Sequence, residues 1–276
     1  MRTTNRFITA VIILLLAMPV SSFAQDGTPS DRPMYVTVTT MHWNMDNDDF
    51  DMDEWIATEK EFMDKVTRKN EHVMGAGFYT HLYTADNREI LFVRTFKSWE
   101  DIELATARSN ELAKEAWPDE KAADAFFKKQ ASYYSNYHAD EIYATMNGAK
   151  IMTAAPTKDM VLYIRKSKFA FPEDGSQEEF NKLRDDFTKN VLHKNEYIKG
   201  YYPSVHAWGT DRRDFVEAFV VDSMVELDKV AGRTGELVQA FWPDAAKRAE
   251  MNKKLGKYFT GQHGDYIYTN VHQLNK

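Results

Sequence analysis

Residues 35–146 recur at residues 160–271, displaced by 125 positions and without a gap. Lys69-Asn70-Glu71 returns as Lys194-Asn195-Glu196, and Trp117-Pro118-Asp119 as Trp242-Pro243-Asp244. His138, Asp140, Ile142 and Tyr143 return as His263, Asp265, Ile267 and Tyr268. The same displacement pairs Val36 with Val161, Phe62 with Phe187, Gly75 with Gly200, His81 with His206 and Arg88 with Arg213. Roughly a quarter of the positions are identical, where chance gives about one in fifteen. Solenoid repeats span only about 20–50 residues, so each copy is a unit of domain size. The expected organisation is a first repeat at 35–146, a linker at 147–158 and a second repeat at 159–276.

Ahead of the repeats the chain reads as an address. Arg2 and Arg6 precede an apolar run from Ile8 to Val20, and Ser22-Phe23-Ala24 places small residues at −3 and −1. That is the form of a secretory signal peptide at 1–24, cleaved before Gln25, with 25–34 as a short linker. The run is too short to span a bilayer comfortably, and no cysteine follows it to carry a lipid. The expectation is an exported protein, periplasmic or secreted, soluble, and off the membrane after cleavage.

With 35 basic and 42 acidic residues the net charge is −7, which argues against a nucleic-acid partner. The chain has no cysteine, so disulfides, thiolate catalysis, iron–sulfur clusters and cysteine zinc sites are excluded. GxSxG, HExxH, GxGxxG and phosphate-loop motifs are also absent.

Each repeat has the same order of elements. Residues 35–43 are rich in β-branched side chains and predict a strand. Trp55, Ile56, Glu59, Phe62, Met63 and Val66 fall at helical spacing over 53–69. Residues 77–84 and 88–96 predict a hairpin around Ala85-Asp86-Asn87. Ser98-Trp99-Glu100-Asp101 opens a helix with a capping box, and Trp-Pro-Asp breaks it, with Asp119 capping a further helix through Ser132. Residues 140–146 and 265–271 predict the last strand of each repeat. The order is β-α-β-β-α-β, the split βαβ or ferredoxin-like arrangement.

One such unit leaves a bare sheet face. Two in one chain can cover one another, so the expected fold is α+β, two ferredoxin-like repeats packed sheet to sheet. This organisation resembles the dimeric α+β barrel superfamily in tandem-fused form, over nearly the whole mature chain. The resemblance implies a small-molecule-binding protein or enzyme with its site between the sheets. Members include cofactor-free monooxygenases, haem-handling proteins and proteins without known chemistry, and no subfamily signature matches residues here. The expected state is a monomer or homodimer. No cofactor is expected; haem enters through the resemblance, and His81 or His206 could ligate its iron or another metal.

Strand alternation places Tyr79, His81 and Tyr83 on one face, and Ser204, His206 and Trp208 on its counterpart. In the next strand Ile90, Phe92, Arg94 and Phe96 share a face, matched by Phe215, Glu217, Phe219 and Val221. These large, mixed faces are expected to line the space between the sheets, with the small faces Leu91-Val93-Thr95 and Val216-Ala218-Val220 against the helices. His81 and His206 are then candidate general bases, since imidazole titrates near neutral pH. Tyr79, Tyr83, Arg94, Trp208 and Glu217 are candidate ligand contacts. Interface histidines inherited from an ancestral unit, and a plain charge pair for Arg94 and Glu217, are the competing readings. His138-x-Asp140 and His263-x-Asp265 are weak metal candidates, lacking a third ligand, and serve equally as polar strand caps. The acidic run Asp46 to Glu54 departs from a calcium loop at Glu54 and Lys60 and suits a helix entrance instead. A module acting through its outer surface is the alternative function.

Overall fold

The computed structural model describes residues 32–276, so the expected signal peptide and most of the 25–34 linker lie outside the described residues. The first repeat comprises β1 (Tyr35–His42), α1 (Met52–Lys65), β2 (Gly75–Tyr83), β3 (Glu89–Phe96), α2 (Trp99–Ala116), α3 (Glu120–Ser132) and β4 (Ala139–Thr145). The second comprises β5 (Met160–Phe169), α4 (Gln177–Phe187), β6 (Gly200–Trp208), β7 (Asp214–Val221), α5 (Met224–Phe241), α6 (Ala245–Gly256) and β8 (Phe259–Asn270). No helix among these is long and apolar enough to cross a membrane.

Capping residues set the helix starts. Asp51, Ser98 and Asp119 accept the amides of Glu54, Asp101 and Ala122; Ser176, Ser223 and Asp244 do the same in the second repeat. Such side chains satisfy donors that a helix start leaves open. The acidic run at Asp46 to Glu54 is thus a helix entrance, with Asp51 as its cap.

The eight strands close one barrel in the order β1-β3-β2-β8-β5-β7-β6-β4. Within a repeat the order is the ferredoxin-like 4-1-3-2. The repeats meet through their edges, β2 with β8 and β4 with β6. Closure removes all four free edges, and the two bare faces become one inner wall. Leu91, Val93, Leu162, Ile164, Ala218, Val220 and the rings of Tyr79, Tyr202, Tyr266 and Tyr268 fill it as a single cluster drawn from both repeats.

This reverses the face assigned to β3 and β7. Leu91-Val93 and Ala218-Val220 point into the barrel, while Ile90, Phe92, Phe96 and Phe219 pack outward with the helices. The reason is volume. Tyr79, Tyr202 and Tyr266 lie along their own strands over Gly77, Gly200 and Gly264; a Cβ at Gly200 would stand 2.8 Å from the Tyr202 ring. With tyrosines occupying a narrow eight-stranded barrel, the facing strands must be small. The helices stand farther from the sheet and leave room for phenylalanine.

The alignment also slips in the first strand. Val36 faces Tyr143 across the β1–β4 pair, and Leu162 faces Tyr268 across β5–β8. Val36 therefore corresponds to Leu162, and its identity with Val161 is fortuitous. The loop before α4 is one residue shorter than the loop before α1 and restores the displacement of 125 at Asp51 and Ser176.

The repeated Lys-Asn-Glu is structural. Asn70 and Asn195 are fully buried. Asn70 Nδ2 donates to Ala105 O and Ser109 Oγ; Asn195 Nδ2 donates to Val230 O and Thr234 Oγ1. Glu71 pairs with Arg108, and Glu196 with Arg233. The backbone carbonyl of each asparagine also accepts a lysine from the segment that follows the other repeat's last strand: Lys276 reaches Asn70, and Lys150 reaches Asn195. The segments after β4 and β8 are thus exchanged across the seams. Removing a buried amide leaves unpaired polar groups costing about 1–3 kcal/mol. Asn70→Ala and Asn195→Ala should each lower the unfolding free energy by about 2–3 kcal/mol in urea titrations; a loss under roughly 0.5 kcal/mol at either position would contradict the account.

Candidate functional site

Every strand pairing is antiparallel, so β1, β2, β5 and β6 run one way and the other four run back. His81 and His206 therefore stand at the same end of the barrel. His81 faces Tyr268 across one seam and His206 faces Tyr143 across the other. A register shift follows each histidine, between His81 and Tyr83 on β2 and opposite it between Ile142 and Tyr143 on β4. Such irregularities re-aim side chains. Beyond them Tyr83 and Trp208 project outward, 63% and 68% exposed.

The other candidates are dispersed. Tyr79 lies in the barrel interior with the inner cluster. Arg94 and Glu217 lie outside the barrel on the helix-facing surface, a correction to their placement between the sheets. Arg94 packs over Phe92 and Phe96, 5.2 and 5.7 Å from the ring centres. Burial lowers its pKa, and Asp140 is the carboxylate whose charge opposes that effect. Glu217 accepts from Tyr201 Oη at 2.6 Å, and Arg184 donates to the same phenol oxygen at 2.7 Å. His138–Asp140 and His263–Asp265 form exposed pairs at 3.4 and 3.3 Å. Among the described residues no group of three or more His, Asp or Glu side chains is placed to hold a metal ion.

The twin seams differ in detail. At the β2–β8 seam an open hollow of about 520 Å³ is lined by His81, Leu82, Tyr83, Thr84, Ala85, Gly264, Asp265 and Tyr266. Thr84 Oγ1 donates its one proton to Asp86 O at 2.7 Å, so the 2.7 Å contact from His81 Nδ1 must run from Nδ1–H to Thr84 Oγ1. Neutral His81 therefore carries its proton on Nδ1 and its lone pair on Nε2, which has no hydrogen-bond partner among the described residues. At the β4–β6 seam His206 Nε2 lies 3.3 Å from Gly209 O, a carbonyl that can only accept. Neutral His206 thus carries its proton on Nε2, the opposite tautomer.

A charge network occupies the barrel end beside His206. Glu141 accepts from Tyr143 Oη at 2.7 Å and from Lys166 Nζ at 3.0 Å. Lys166 and Lys168 both reach Asp214, which is 1% exposed, and Lys168 also reaches Asp211. Burial and the Glu141 charge push the Tyr143 phenol up; burial and Glu89 do the same to Tyr268. Both phenols stay protonated and act as donors. No sequence pattern flagged this network, because Glu141 and Lys166 are far apart in the chain and belong to different repeats.

No family model and no curated protein matches the chain. Solved structures do. A candidate monooxygenase from Lactobacillus acidophilus NCFM matches with a TM-score of 0.52 at 11% identity, over 86% of this chain and 93% of its own. A variant of the chlorite dismutase from Candidatus Nitrospira defluvii matches with a TM-score of 0.51 at 12% identity, over 88% and 93%. The fold is that of the dimeric α+β barrels. Both halves of the barrel lie in one chain here.

Haem, raised by the resemblance to dimeric α+β barrels, is compatible with the fold, although Phe180, Arg184, Tyr201 and Phe215 fill the space between α4 and the sheet. It needs a broad apolar slot with an uncommitted axial ligand. His193 engages Gly148 O at 3.0 Å, whereas His81 Nε2 has no hydrogen-bond partner among the described residues.

A carboxyl whose pKa burial raises lies away from the seams. Glu59 on α1 is 2% exposed and accepts from Tyr134 Oη at 2.7 Å and Gln130 Nε2 at 2.9 Å. Burial raises its pKa to about 7 against those two donors. Between the unfolded value and 7 the folded state holds the extra proton, so stability is full at low pH and falls as pH rises through 7. Glu59→Gln should match the parent near pH 5 and exceed it in melting temperature near pH 8. An equal melting temperature at both pH values would refute the assignment.

Proposed function

We propose that this chain is an exported small-molecule-binding protein whose site is the barrel end carrying His81 and His206. The observation that carries this reading is the hollow beside His81, where an imidazole of fixed tautomer offers a free lone pair between aromatic walls. Sites for small molecules have this form: concave, largely apolar, with a few oriented polar groups. The architecture shared with the α+β barrels named above supports a ligand at the barrel, and the acidic surface supports a partner other than nucleic acid.

The Nε2 lone pair also supports a second reading, proton abstraction from a bound ligand. A neutral imidazole held by its other nitrogen is suited to that role. In this reading Thr84 positions the ring, His81 takes the proton, and Tyr83 and Tyr266 line the open hollow beside it. The step needs no metal ligand from the chain.

Native mass spectrometry with an absorbance scan tests both readings on the protein purified from its natural compartment. A retained organic ligand, lost in the His81→Ala, His206→Ala double variant with its melting temperature kept, is the expected result. A ligand-free parent, or a double variant that keeps its ligand, would count against the site. Export has its own check: N-terminal sequencing of the periplasmic or secreted protein should begin at Gln25, and an intact Met1 in that fraction would refute cleavage.

A further inference from the structure

The two histidine seams descend from one ancestral site, yet the duplication has left them chemically unequal. Position by position, Thr84 corresponds to Gly209 and Tyr266 to Glu141. Gly209 adopts φ +147, in the region that favours glycine, and its missing side chain leaves space that Glu141 takes. A Cβ at Gly209 would lie 3.2 Å from Glu141 Cγ. Glu141 is in turn held by Tyr143 and Lys166. At the other seam Gly264 lets the Tyr266 ring lie along β8, and the hollow stays open.

We infer that only the His81 seam binds a ligand, one per chain, and that this ligand must donate a hydrogen bond to His81 Nε2 from a flat ring. This inference rests on the proposed binding function and deepens it. The direction of the bond follows from the tautomer: with Thr84 taking Nδ1–H, the ring presents an acceptor to the hollow. Leu82, Ala85 and the rings of Tyr83 and Tyr266 supply apolar surface on either side. Glu141 and its lysine deny the same volume at the His206 seam, where the lone pair of the neutral imidazole is on Nδ1.

The test uses the mature full-length protein and two probes of nearly equal shape, 2-naphthol and 2-methoxynaphthalene, which differ in the donor. Fluorescence titration and native mass spectrometry should show one 2-naphthol per chain, with 2-methoxynaphthalene about tenfold weaker, the worth of one hydrogen bond. His81→Ala should erase that preference and His206→Ala should keep it. Proton–nitrogen correlation spectra should show His81 protonated on Nδ1 and His206 on Nε2. Thr84→Val should lose the Nδ1–H signature at unchanged melting temperature, and Thr84→Ser should restore it. Two naphthols per chain, or loss in His206→Ala alone, would overturn the inequality of the seams while leaving ligand binding at the barrel end intact. Equal affinity for the two probes would overturn the donor requirement. Binding of neither probe would overturn the inference, whereas the wider reading falls only if the natural protein also carries no ligand.

Discussion

A four-stranded ferredoxin-like sheet has two unpaired edges and one uncovered face, and everything in this molecule follows from how those are satisfied. Pairing β2 with β8 and β4 with β6 saturates all four edges of the two repeats at once. The same closure turns both bare faces inward, where they bury one another. Two features enforce it. The tyrosines of the inner wall come from both repeats, so neither half completes its core alone. The exchanged lysines, Lys150 and Lys276, tie each repeat's trailing segment to the buried asparagine of the other.

Closure also decides where chemistry can reside. A narrow barrel filled by tyrosine and aliphatic side chains leaves room at its end, where the strands part and the register shifts. That end collects the histidines, the exposed Tyr83 and Trp208, and the carboxylate–lysine network. Duplication supplied two equivalent corners, and divergence changed them separately. In one, a threonine engages Nδ1 of an imidazole that lines an open hollow. In the other, a glycine admits a glutamate that fills the space. Buried charge with several partners is tolerable at the filled corner because Asp214 and Glu141 each meet a lysine.

The helix-facing sides diverged as well. Glu59 in the first repeat and Arg184 in the second occupy equivalent positions, each buried against the sheet. One is held by neutral donors, the other by the Tyr201 phenol beside Glu217. These are solutions to packing a polar residue in a core, and neither shares the barrel end with the histidines.

The sequence by itself determined the duplication, the order of elements, the helix caps at Ser98 and Asp119 and the ferredoxin-like topology, because these depend on local spacing and on side chains that bond within a few residues. It also named His81 and His206 as equivalent positions of the two repeats. It misplaced the inward face of β3 and β7, although Gly-x-Tyr at 77–79, 200–202 and 264–266 carried a signal: a glycine two residues before a tyrosine marks a ring lying along the strand. Alternation shows that a strand has two faces and is silent on which one meets the barrel. Only the tertiary structure decided that, since it depends on the volume that tyrosines from other strands already occupy. It alone also set the two tautomers and the filling of one seam, because Thr84, Gly209, Glu141 and Lys166 act through contacts that chain closure creates and sequence distance hides.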